Sequence, residues 1–296
     1  MIAPRLSPNG VIGICAPCHV ANREYYRPLL EGIRQFGFRV READNLYSDT
    51  YGYLSTPQER ASDFNQLVAD PEVELILFGG GEGAVELLPY IDFDAIRRRP
   101  CRICSYSDGT TLLDAIWAQT GLETYYGQSP NQFADLSPYN AEQFLQHLVR
   151  DDGHAHVAAA PWQPQTPGAA EGVLVGGYST NFALLLGSRY FRWSPGERHL
   201  LFIEDHEKYN GPAGVSAILS NIEQSDFMQT VSGLLFGHYS TDPRPDLKGL
   251  LRRFGERHHI PVAYCDDFGH GENHAILRIG HRAALDTNRC TLTYEN

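Results

Sequence analysis

The run Val73-Glu74-Leu75-Ile76-Leu77-Phe78 stops on Gly79-Gly80-Gly81-Glu82-Gly83, and a helical pattern from Pro57 to Asp70 leads into it. β-Branched and aromatic residues suit a buried strand, and glycines at its end let the backbone turn sharply. A polar helix feeding such a strand predicts a parallel α/β sheet, whose ligand sites collect beyond the carboxyl ends of its strands. The flanking segments repeat the theme. Val11 to Ala16 is a short apolar run closed by Pro17, Arg23 to Phe36 has a helical pattern, and Gly37 to Val40 reads as a strand. Arg102 to Tyr106 reads as another strand, Ser107-Asp108-Gly109-Thr110 as a turn, and Thr111 to Thr120 as a helix.

A helix over Tyr139 to Val149 is followed by a polar, Pro-rich stretch over 151–168, the expected crossing between domains. The expected division is therefore 1–160 and 171–296. In the second part, strands are expected at Leu200 to Ile203, Val231 to Phe236, Pro261 to Tyr264, Ile276 to Ile279 and near Thr291 to Thr293. Helices are expected at Gly214 to Ser220 and Leu247 to Arg257.

Charge and cysteine content narrow the function. A net charge of −12 opposes binding to a nucleic-acid polymer, and the most basic stretch, Arg97-Arg98-Arg99, is too short for a nucleic-acid arm. No segment approaches the ~20 consecutive apolar residues of a membrane span, and no basic-then-apolar leader opens the chain, so the cytoplasm is the expected location. Two Cys-x-x-Cys pairs, Cys15/Cys18 and Cys101/Cys104, have the spacing of a zinc or redox site. They straddle strand edges, where a free cysteine usually serves as a small buried hydrophobe, so no metal is expected.

The glycine loop lacks Gly-Lys-Ser/Thr and does not follow the first strand of a dinucleotide-binding unit, so no nucleotide cofactor is expected. It reads either as a structural turn or as a source of N–H donors for a developing oxyanion. Ser105-Tyr106-Ser107-Asp108-Gly109 sits where a nucleophile elbow would, between strand and helix, with Ser105 in place of the first glycine. The alternative is a helix cap by Ser107 or Asp108. Two later segments offer a base and a carboxylate: Glu204-Asp205-His206-Glu207 ends an apolar strand, and Asp266 to His274 follows another.

Tyr106-Ser107-Asp108 with Thr110, Tyr125-Tyr126-Gly127, Leu201-Phe202-Ile203-Glu204-Asp205, Phe268-Gly269-His270 with Gly280, the Gly79–Gly83 loop and Gly176-Gly177-Tyr178-Ser179-Thr180 occur in one order. Together they resemble the LD-carboxypeptidase family of serine peptidases, and more closely its microcin C resistance branch. The resemblance implies an amino-terminal Rossmann-like parallel-sheet domain followed by a smaller, mostly β domain, a homodimer, and no metal or cofactor. It implies catalysis by a Ser-Glu-His triad of Ser107, Glu204 and His270, with the Gly81 and Asp108 amides as oxyanion hole. Several positions depart from the family pattern: Ser105, Tyr178, Arg278, and a missing arginine near the glycine loop.

The expected reaction is hydrolysis of an amide in a small peptide conjugate, a microcin C-like peptidyl nucleotide or an aminoacyl nucleotide. The alternatives are a murein tetrapeptide LD-carboxypeptidase and a noncatalytic small-ligand binding protein on the same fold. A nucleobase could stack on an aromatic side chain near the start of the second domain, where Trp162, Tyr178, Tyr190 and Trp193 lie.

Overall fold

The computed structural model describes residues 1–242 and 244–295. Its strands are β1 (Val11–Ile14), β2 (Arg39–Glu42), β3 (Val73–Leu77), β4 (Arg102–Ser105), β5 (Thr124–Tyr126), β6 (Gln163–Thr166), β7 (Ala169–Tyr178), β8 (His199–Glu204), β9 (Val231–His238), β10 (Val262–Gly269), β11 (Leu277–Ile279), β12 (Arg282–Asp286) and β13 (Thr291–Tyr294). The α-helices are α1 (Arg23–Gln35), α2 (Pro57–Ala69), α3 (Phe93–Arg98), α4 (Thr110–Thr120), α5 (Pro138–Phe144), α6 (Ser179–Leu186), α7 (Pro212–Glu223) and α8 (Pro245–His258).

The first sheet has the order β11-β5-β4-β3-β1-β2, parallel except for β11. Of its inner strands, β1 and β4 are buried throughout and β3 everywhere but Glu74, as expected where helices cover both faces. Local chemistry sets the helix starts. Asn22 caps α1 by accepting from Glu24 N and Tyr25 N, and Thr56 and Glu59 form a reciprocal capping box on α2.

The second sheet has the order β13-β12-β7-β8-β9-β10-β6. It is β-rich, but its central strands β7, β8, β9 and β10 are parallel, and α6, α7 and α8 lie on their crossovers. The molecule thus comprises two α/β units. The polar stretch after Val149 includes β6, which pairs antiparallel with β10. A loop within it is fastened by the fully buried Asp267 carboxylate, which accepts from Ala159 N (2.9 Å), Ala160 N (3.2 Å) and Trp162 Nε1 (2.7 Å).

The chain does not stay within the second unit. After β10 it returns to the first sheet, where β11 pairs antiparallel with β5, and only then adds β12 to β7. This return and the α4 contacts join the units. Gly176 N donates to Asp114 Oδ1 (3.2 Å) and Tyr178 N donates to Thr110 Oγ1 (2.8 Å).

Candidate active site

The carboxyl ends of β3 and β4 in the first sheet face those of β8 and β10 in the second. β4 ends at Ser105, Tyr106 is extended, and Ser107 opens a 3-10 turn, Ser107–Gly109, that runs into α4. Ser107 holds φ +57°, a left-handed conformation that costs a non-glycine residue about 1 kcal/mol or more. Such strain at a polar residue on a strand-to-helix turn directs its side chain out of the sheet. The Ser105 hydroxyl donates to Phe78 O at 2.8 Å, so the side chain that replaces the elbow's usual glycine has its own partner.

Ser107 Oγ lies 3.1 Å from His270 Nε2, and His270 Nδ1 lies 2.9 Å from Glu204 Oε2. Glu204 ends β8 and is fully buried; His270 follows Gly269 at the end of β10. Gly269, at φ +104°, runs so close to Glu204 that a Cβ there would meet its carboxylate at 2.9 Å. Burial alone would lower the His270 pKa, but the hydrogen bond and charge of Glu204, with Asp205 beyond, raise it above its ordinary value. Tyr106, Tyr178 and Tyr209 surround the imidazole, with ring centroids 5.3, 5.2 and 5.6 Å away.

The glycine loop closes the other side. A Cβ on Gly80 would meet Ser107 Cβ at 2.5 Å, so only glycine lets this loop lie against the serine. Asp108 follows Ser107 in the chain, and Gly81 follows the glycine that touches it. Asp108 is buried, which raises its pKa, and its carboxylate accepts from Ala84 N (2.8 Å) and from the Asn181 side chain. It ties the end of the glycine loop to α6 of the second unit.

The structure brings Ser107, Glu204, His270, Asp108 and Tyr178 to one cleft, sets Gly81 in the loop beside it, next to Cys18 and His19, and leaves the other named aromatics out of it. Trp162 is buried on Asp267, Tyr190 stacks on Phe93, and Trp193 packs against Phe191 and Phe227. Composition gives an aromatic side chain no direction, which is why these three misled. The sequence reading missed Tyr209, Asn181 and the role of Tyr126. The first two follow the Glu204 and Gly177 motifs by four or five residues, a proximity that marks the cleft rim. Cys15, Cys18, Cys101 and Cys104 are buried and free; among the described residues no group of three His, Cys, Asp or Glu side chains could hold a metal. No helix among those residues is long and apolar enough to cross a membrane.

The LD-carboxypeptidase N-terminal domain profile matches residues 12–127, and the LD-carboxypeptidase C-terminal domain profile matches residues 171–285. The chain is 28% identical over 317 residues to the Microcin C7 self-immunity protein MccF of Escherichia coli, covering 94% of this chain and 90% of that protein. It is 26% identical over 301 residues to a Bacillus subtilis protein named "Probable murein peptide carboxypeptidase", covering 98% and 93%. Among solved structures, MccF with a tryptophan-to-phenylalanine substitution, in complex with adenosine monophosphate, superposes with a TM-score of 0.87 at 25% identity, covering 100% of this chain and 99% of that one.

A further MccF structure, at 24% identity, corrects one expectation. It is described as an active site mutant, and the residues replaced by alanine are a serine, an asparagine and a lysine. An enzyme defined by a Ser-Glu-His triad does not fit that set. Beyond the triad, the sequence reading named backbone oxyanion donors and aromatic side chains but no asparagine or lysine, whereas an active site also needs polar groups that hold the substrate. Side chains of the other two types lie beside the cleft here: Asn181 on Asp108, and Lys208, one of two lysines in the chain, with Nζ 5.7 Å from the Tyr209 ring centroid. Motif order, paired α/β units and matches to both domain profiles agree: the chain belongs to the LD-carboxypeptidase family.

Proposed function

We propose that this protein is a serine hydrolase that cleaves an amide in a small peptide conjugate, with a peptidyl or aminoacyl nucleotide as the substrate class. The observation that carries the reading is Ser107 Oγ at 3.1 Å from an imidazole nitrogen at the mouth of a cleft between two units. Ser107 attacks the carbonyl carbon and its proton passes to His270 Nε2, which later gives it to the leaving nitrogen. Glu204 holds Nδ1–H and so fixes the tautomer that leaves Nε2 free to accept. The amides of Gly81 and Asp108 receive the developing oxyanion, and water then resolves the acyl-enzyme.

The substrate assignment rests on relatives. One is named for self-immunity to Microcin C7, and a solved form of it carries adenosine monophosphate. The aromatic rim of Tyr106, Tyr178 and Tyr209 offers faces on which a planar base can stack. The test is mass-spectrometric comparison of a peptidyl nucleotide, an aminoacyl sulfamoyl adenosine and a muropeptide tetrapeptide, each with wild type and Ser107→Ala. Amide cleavage of a nucleotide conjugate by wild type alone is the expected result. Release of D-alanine from the muropeptide, with the nucleotide conjugates intact, would assign the murein activity suggested by the Bacillus subtilis relative's name.

A further inference from the structure

Tyr126 ends β5, next to β4, with Ser105 as its register partner. Its side chain is fully buried, its ring packs on Phe202 with centroids 5.3 Å apart, and a Cβ on Gly177 would meet that ring at 2.9 Å. The phenol oxygen has two polar neighbours. Ser107 N–H donates to it at 3.0 Å, and the phenol O–H donates to Glu204 Oε1 at 2.5 Å. The direction is forced, because an amide can only donate and a carboxylate can only accept.

These contacts join with those of His270 into a closed ring of four hydrogen bonds. Ser107 N–H reaches Tyr126, Tyr126 reaches one oxygen of Glu204, His270 Nδ1–H reaches the other, and the Ser107 hydroxyl reaches His270 Nε2. Once the carboxylate is charged, every proton in the ring has one place. The Ser107 amide, committed to Tyr126, is also withdrawn from the oxyanion, which leaves that task to the neighbouring amides.

We infer that Tyr126 is a positioning residue that spans the two units, holding the serine elbow at its strained angle and setting the charge that Glu204 presents to His270. This rests on the reading of Ser107 and His270 given above. Donation by the phenol spreads part of the carboxylate charge. Without it, Glu204 faces His270 with more charge and holds its proton more tightly, so the imidazole becomes neutral at higher pH. The other groups facing His270 are Asp205, His206 and Tyr209 after β8, Tyr106 at the elbow, Tyr178 before α6, and His274. A Tyr126→Phe substitution touches none of them and keeps the ring that fills the space.

The test uses a fluorophosphonate probe on the full chain, followed by mass spectrometry. Ser107 Oγ bonds to phosphorus, fluoride leaves, and the serine proton passes to His270, so the labelling rate rises as the imidazole becomes neutral. Wild type is labelled at Ser107 and Ser107→Ala is not. Tyr126→Phe is labelled roughly tenfold or more slowly, and its acid limb moves to higher pH by about half a unit. Placing 3-fluorotyrosine at position 126 keeps the hydroxyl, makes it a stronger donor, and moves the limb to lower pH; it serves equally if the phenylalanine variant does not fold. Failure to label wild-type Ser107 would overturn the nucleophile reading and this inference with it. Labelling of wild type with an unmoved limb in the substituted proteins would overturn the role of Tyr126 alone.

Discussion

Ser107 carries strain and, in the proposed reaction, the nucleophile, and the two separate by substitution. Alanine keeps the unfavourable φ of +57°, whereas glycine relieves it. Ser107→Gly is therefore expected to unfold at higher denaturant than Ser107→Ala, by about 1 kcal/mol, with both unable to form an acyl-enzyme. Equal midpoints would show that the turn is unstrained. His270 supplies a second measurement. Its pKa stands above the ordinary value of 6.5, so hydrolysis should fall as pH drops through a midpoint above 6.5. A wild-type limb well below that value would place the titrating group elsewhere. Ser107 was legible because strand, small polar turn and helix are adjacent in sequence. The segments of Glu204 and His270 were read as offering a carboxylate and a base, but the choice of these two residues, 66 apart, came through resemblance. Tyr126 was quoted for the resemblance, yet its task stayed hidden because an amide and a carboxylate meet at its phenol only after two sheets have packed.

Elements with a strong hydrophobic period or local stop signals were readable, which covers β1, β3, β4, β8, β9, α1, α2 and α8. β7 was not read as a strand. Its sequence, AAEGVLVGGY, has too much alanine and glycine for a β signal, and pairing with both β8 and β12 supplies what propensity lacks. β6 lay in a stretch read as an interdomain crossing, because prolines and glutamines mask an edge strand. The loop before β6 makes its own prediction. The fully buried Asp267 carboxylate takes three N–H donors from it and pairs with His156 Nε2 at 2.8 Å. Replacing Asp267 by alanine strands those donors. A loss of about 3 kcal/mol is expected, with new protease cleavage within 152–162 preceding global unfolding. Resistance of that loop to protease in Asp267→Ala would mean that its anchoring lies elsewhere.

At the scale of the molecule, a working cleft requires two units held in one relation, and the return of β11 to the first sheet provides it. Beside that strand, Glu123, from the segment before β5, accepts from Arg278 Nε (2.8 Å) and pairs with His281 Nδ1 (2.6 Å). Arg278 is one of the positions that depart from the family pattern, and it forms a buried ion pair at the junction. Burial by itself would raise the Glu123 pKa. The hydrogen bonds from His281 and Arg278 outweigh it and bring the value down to about 2. A carboxylate depressed in the folded state contributes stability that is present above its unfolded pKa, near 4.5, and is lost as pH falls toward about 2. His147 and His274 add to acid sensitivity in a different window. Burial lowers His147 to about 3 and His274 to about 4, so both favour the unfolded chain as pH drops below 6.5. Glu123→Gln is accordingly expected to cost about 3 kcal/mol near neutral pH, because Arg278 is left buried without its partner. That deficit should shrink at about pH 3.5, where the wild-type carboxylate has begun to lose its advantage, while the His274 contribution, on which the Glu123 charge does not act, stays common to both proteins. Guanidinium unfolding of the two proteins at neutral and acid pH measures the gap. A gap that is the same at both would show that Glu123 acts by packing rather than by charge.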